Sequence, residues 1–226
     1  MIDIYYIVLV IPALLFAMWA QTKVSTTSSK YSKVLNSAGV TGAQAARRIL
    51  DENGLYDVAI ERVSGNLTDH YDPKSNVIRL SDVVYDKSTV TAIGVAAHEA
   101  GHAVQYAEGY GPIKLRTAIL PICSIGSNIA MPLVVLGFVL GALNLVTLGI
   151  IAFAVAAFFQ VVTLPVEFNA SSRALSALDN SPYFSDDEIK GVKKVLTAAA
   201  MTYVAAMATA LANLLRLILI VNRHRD

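Results

Sequence analysis

The sequence predicts a multi-pass α-helical membrane protein carrying a small α+β extramembrane domain. Three observations lead to this. Of the 226 residues, 55% are hydrophobic and only 15% are charged, a balance that soluble domains rarely show. The apolar residues are bunched: residues 4–20 form an uncharged run, residues 118–166 contain no charged residue, and residues 195–221 are interrupted only by Arg216. A helix needs about 20 apolar residues to cross a bilayer, so the middle stretch is long enough for two crossings and the set provides four. Between the first and second stretches lies a polar segment long enough for one modest domain. The expected order is an N-terminal anchor (1–20), an α+β domain (21–117), a transmembrane hairpin (118–166), a short polar helix (167–194) and a last transmembrane helix (195–226).

Each element follows from local pattern. The first run has no basic residue before it and no convincing small-residue cleavage site, so a retained anchor is expected rather than a signal peptide. Residues 21–35, rich in Ser, Thr and Lys, read equally as an amphipathic surface helix or a linker. Thr41 is an N-cap for a helix through Asn53 that stops at Gly54, with Ala46, Ile49 and Leu50 as its packing face. Residues 58–63 read as a strand. Residues 67–71 and 76–80 flank Asp72-Pro73-Lys74-Ser75, a hairpin signal. A helix follows from Ser88 and closes at Gly109, Gly111 and Pro112. The strand just before it either offers a free edge to an extended peptide or belongs to an ordinary small sheet; the sequence favours neither. Gly137 and Gly141 form a small-x-x-x-small pair compatible with close helix packing or a homodimer contact. Ser185 and Glu188 form a capping box for a helix that runs into the last span. The single cysteine, Cys123, excludes an intrachain disulfide and reads as a small packing residue.

Charge sets the expected topology. Lys23, Lys30, Lys33, Lys114, Arg116, Arg173, Lys190, Lys193 and Lys194 all fall in or beside the two polar segments, whereas the turn around residues 141–147 has no charge. The positive-inside bias puts both polar segments in the cytoplasm and the N-terminus outside. Arg223, His224 and Arg225 resist this, unless the last helix ends early or does not fully cross. The net charge of +1 gives no reason to expect nucleic acid as a partner.

One segment carries chemistry. His98-Glu99-Ala100-Gly101-His102 reads H-E-x-x-H on a predicted helix, where residues four apart share a face. Both imidazoles can then reach one zinc ion that keeps a position open for water, with Glu99 beside it to take the water's proton. A catalytic zinc usually has three protein ligands. His224 lies at the far terminus, and His70, in the hairpin, reads as a surface residue or one that supports a ligand. Glu167 is the better candidate, because two crossings between residues 118 and 166 return the chain to the side it left, and Ala170 and Ser171 let its helix press close. Arg173, a little under two turns beyond Glu167, is either an oxyanion-stabilising donor or an ordinary juxtamembrane cation.

Taken together, the anchor, the Thr41-Gly42-Ala43 helix start, the Asp72-Pro73 hairpin, the H-E-x-x-H segment and Leu164-Pro165-Val166-Glu167-Phe168-Asn169-Ala170 resemble the YugP-like membrane zinc metallopeptidases of bacteria. More distantly, the chain resembles the HtpX and type I CAAX prenyl protease gluzincins. The resemblance implies a zincin-like (gluzincin) domain, one zinc per chain bound by His98, His102 and Glu167, and Glu99 as general base. It also implies peptide or membrane-protein substrates and a place in the cell membrane. The chain departs from the distant group at Ser171, where that group has an aspartate that orients a ligating histidine. Either Ser171, Asn169 or another carboxylate takes that role here, or the site is tuned differently. Two further readings stay open: an intramembrane-cleaving protease, and a membrane interaction or assembly protein with a structural or vestigial zinc site.

Overall fold

A computed structural model describes residues 3–223, so His224, Arg225 and Asp226 lie outside the described residues. The described residues are mostly helical, with one three-stranded sheet. Among the described residues, four helices are long and apolar enough to cross a membrane: Tyr6–Tyr31, Gly111–Val139, Leu143–Asp179 and Asp186–Arg223. The chain divides into two compact units. One comprises Met1–Gln21, Lys114–Pro165 and Met201–Asp226, and the other Thr22–Ile113 and Val166–Ala200.

The first unit holds the apolar stretches. A short π-helical segment, Tyr6–Val10, leads into α1 (Ile11–Tyr31), so the helix continues well past Ala20 and the Ser/Thr-rich segment is helical to Tyr31 rather than a linker. Helices α4 (Gly111–Val139) and α5 (Leu143–Asp179) are joined by a turn in which Gly141 has φ +62°, a conformation that only glycine adopts freely. Gly141 therefore lies beyond the end of α4, and the expected small-x-x-x-small pair is not a helix face. Gly137 alone packs closely, against Val146 of α5. The last helix, α6 (Asp186–Arg223), does not end early, which removes that escape from the charge conflict at its terminus. Arg216, costly in an apolar span, is matched by Asp3, whose Oδ2 accepts from its Nε at 2.9 Å and Nη2 at 2.6 Å.

The second unit forms around α3 (Val90–Ala107). Helix α2 (Gly42–Glu52) begins at Thr41, which forms a reciprocal capping box with Gln44 and satisfies two otherwise unpaired backbone donors. It packs along α3, burying Ala45, Ala46, Ile49 and Leu50. Strands β1 (Ala59–Val63), β2 (His70–Asp72) and β3 (Val77–Ser81) lie in the order β1-β3-β2. β1 pairs with β3 in parallel and β2 with β3 antiparallel. The strand just before the motif helix is thus central and offers no free edge; the edge strands are β1 and β2. Ile78 and Leu80 are fully buried beneath this sheet, together with Ile93 of α3. Each such side chain contributes about 1.5–3 kcal/mol relative to exposure.

Helix α3 starts at the Thr89 N-cap, whose hydroxyl accepts from the Ala92 amide, one residue later than Ser88. Its other neighbours are the later turns of α5 and the start of α6. A Cβ at Gly101 would lie 2.6 Å from the Ala170 carbonyl oxygen, and one at Gly94 would lie 3.1 Å from Val192. Glu188 bonds the Ser185 amide at 2.7 Å, as a capping box requires, and also accepts from the Ser37 amide.

Candidate metal centre

The helical spacing of the motif puts the two imidazoles side by side, with ring centroids 4.7 Å apart and planes at 82°. Glu167 projects from α5, which is already helical from Leu143; the residue does not begin a new helix. The residue is 2% exposed. Glu167 Oε2 lies 3.2 Å from His98 Nε2 and 3.6 Å from His102 Nε2. The contact between α3 and α5 that Gly101 permits is what brings this carboxylate between the histidines. Among the described residues, His98, His102 and Glu167 form the one group of three whose donor atoms all lie within 4.8 Å of one another. Two imidazole nitrogens and a carboxylate oxygen are the donor set of a catalytic zinc site with its fourth position open.

Both histidines turn Nε2 to the carboxylate because Nδ1 is held from behind. Ser171 Oγ lies 3.1 Å from His98 Nδ1, and Gln105 Oε1 lies 3.0 Å from His102 Nδ1. Burial alone would push the His102 imidazole down. The hydrogen bond to Glu167 and the nearby Glu99 charge outweigh it, so His102 sits above the ordinary histidine range. Glu99 is buried but turned away from the cluster's shared face, and its Oε2 accepts from the Tyr71 amide of edge strand β2 at 3.0 Å.

The other expected residues separate. His70 is exposed on β2 with Nδ1 2.7 Å from the Thr68 carbonyl, and it does not join the cluster. Asp69, next to His70, accepts from the amide and hydroxyl of Ser81 and does not join the cluster either. Arg173 directs its guanidinium to Glu108 at 2.6 Å and to Asn169 Oδ1 at 2.7 Å. That contact holds the Glu108 carboxyl below the usual carboxylate range. Asn169 also accepts from Gln105 Nε2 at 2.9 Å, so it touches the site through that residue. Gln105 and the Tyr71 amide were not singled out from sequence. Gln105 follows His102 by three positions and hence shares its face, a spacing that could have drawn attention.

Comparison with known proteins agrees with the geometry. A family described as "Putative neutral zinc metallopeptidase" matches residues 6–222. A protein of Bacillus subtilis (strain 168) named "Putative membrane protease YugP" is 52% identical over 221 residues, covering 98% of each chain. No solved structure matches the chain. With nearly every residue matched, from the first apolar helix to the last, this chain belongs to the YugP-like family of zinc metallopeptidases.

Proposed function

We propose that the chain is an integral membrane zinc endopeptidase of gluzincin type, in which His98, His102 and Glu167 hold one metal ion and Glu99 is the general base. The observation that carries this reading is the convergence of both Nε2 atoms on one buried oxygen of Glu167, with the buried Glu99 next to His98 in the chain and held by the Tyr71 amide. A zinc ion bound there supplies Lewis-acid activation of a water and of the scissile carbonyl. Glu99 accepts the water's proton and delivers it to the departing amine, and the Tyr71 N–H keeps the carboxylate oriented between the two transfers. β2 is an edge strand, and the Tyr71 amide points away from β3 toward Glu99. An extended peptide running along that edge passes beside the base, which suits an unfolded segment rather than a folded domain.

A purely structural zinc site is the weaker reading, since it needs a fourth protein ligand and none joins the three among the described residues. The charge bias of the polar segments favours the cytoplasmic side for the site. The test is hydrolysis of an unfolded reporter peptide by the purified, bilayer-reconstituted protein, stopped by a chelator and restored by zinc. Hydrolysis indifferent to chelation would contradict the proposal.

A further inference from the structure

Gln105 is fully buried on α3, yet it makes three side-chain hydrogen bonds. The pattern has only one consistent assignment. The Val166 carbonyl, 2.8 Å from the Gln105 amide group, can only accept, so the amide nitrogen must face it. Arg173 Nε can only donate, so the Asn169 oxygen must face Arg173, and the same oxygen takes the second Gln105 N–H. The Gln105 oxygen is left for His102, and an oxygen there requires His102 Nδ1 to carry a hydrogen. Nε2 is then the nitrogen turned to Glu167. The hydroxyl of Ser171 behind His98 can donate or accept and imposes no such choice.

We propose that Gln105 is a positioning residue of the metal centre: its oxygen fixes the tautomer and ring orientation of His102, and its nitrogen fastens that orientation to α5, the helix that carries Glu167. The two ends of one side chain thus tie two ligand-bearing helices together. Asn169 and Arg173 extend the tie to Glu108 at the surface. The inference rests on the zinc-site reading above, although it does not require that the bound metal hydrolyse anything.

The test compares zinc affinity, by competition with a chromophoric chelator, and the visible spectrum of the cobalt(II)-loaded protein in wild type, Gln105→Met and Gln105→Glu. Both variants lose the amide N–H groups toward Val166 and Asn169, so both melt at a lower temperature. Only Gln105→Met loses the acceptor for His102. It is expected to bind zinc about 10–100-fold more weakly, with shifted cobalt bands, whereas Gln105→Glu, which keeps the acceptor for His102 and loses only the tie to α5, is expected to lose about 3–10-fold. Should Gln105→Met fail to fold, Asn169→Ala loosens the amide without touching His102, and an affinity loss of about 3–10-fold is expected; no change in that variant overturns the inference in its place. Wild-type zinc affinity in Gln105→Met, or an equal loss in Gln105→Glu, overturns the positioning role and leaves the peptidase reading standing. A wild type that binds zinc but never hydrolyses peptide overturns that reading and leaves the role of Gln105 intact. A wild type that takes up neither metal overturns both.

Discussion

At the scale of single residues the proposed chemistry divides between a carboxylate that would hold metal and a carboxylate that would move protons. Glu167 lies between two imidazoles, while Glu99, one position from His98, faces away and bonds a backbone amide. Glu99→Gln keeps size and polarity but cannot accept a proton. It is expected to retain zinc and lose about 10²–10⁴-fold in turnover, read by single-turnover hydrolysis beside metal content. His102 gives a pH signature. Its folded pKa is raised above the unfolded value of about 6.5, so the stability it lends the metal-free protein is fully present below that value and is lost as pH rises through the folded pKa. Zinc requires the neutral ring, so affinity falls on acidification through the same window. Thermal melts with and without zinc should therefore converge as pH falls and diverge as it rises. A zinc-induced shift independent of pH would exclude His102 as a ligand. The motif residues were legible because a four-residue spacing on a helix dictates their proximity. Gln105 was not, since its partners Val166 and Asn169 lie about 60 positions away and a single glutamine in sequence carries no sign of burial.

Elements differ in how much of their placement is local. The Thr41 cap, the Asp72-Pro73 hairpin and the Ser185–Glu188 box use hydrogen bonds three or four residues long, and the elements they start or join occur near where the sequence puts them, although β2 covers only His70–Asp72 and Glu167 lies inside α5. The sheet order does not follow from such signals. β1 joins β3 in parallel across the intervening β2, a non-local pairing that turns the strand before α3 into the central one and leaves β2 as the edge beside Glu99. The α3–α5 contact is the element-level condition for the site. Gly101→Ala puts a methyl 2.6 Å from the Ala170 carbonyl, and because that neighbour is backbone, the helices must separate. The expected cost is about 1–3 kcal/mol of stability, together with weakened zinc binding as Glu167 and Ser171 move from the histidines. A melt and a zinc titration check both. Unchanged values would mean the contact is looser than its geometry. Thr89→Ala removes the α3 cap and should cost about 1 kcal/mol without altering zinc affinity.

For the whole molecule, the four membrane-length helices among the described residues were readable from apolar run lengths, and the start of α6 from its Ser185–Glu188 box, but not the ends of α1 and α5, which run on as helix into polar sequence to Tyr31 and Asp179. The proposed topology can be checked with an impermeant thiol reagent on intact cells after Cys123→Ala. A cysteine at Ser29 or Ser185 is expected to react only once the membrane is opened, and one at Ala142 to react at once. The reverse pattern would put the site outside the cytoplasm. The central claim is narrower than topology and rests on three side chains. The most direct measurement is the zinc content per chain of the purified protein in wild type, Glu99→Gln and Glu167→Ala, with proteolysis followed in the same samples. One zinc in wild type and in Glu99→Gln, little or none in Glu167→Ala, and hydrolysis in wild type alone is the expected result. Full zinc occupancy in Glu167→Ala, or undiminished hydrolysis in Glu99→Gln, would contradict it.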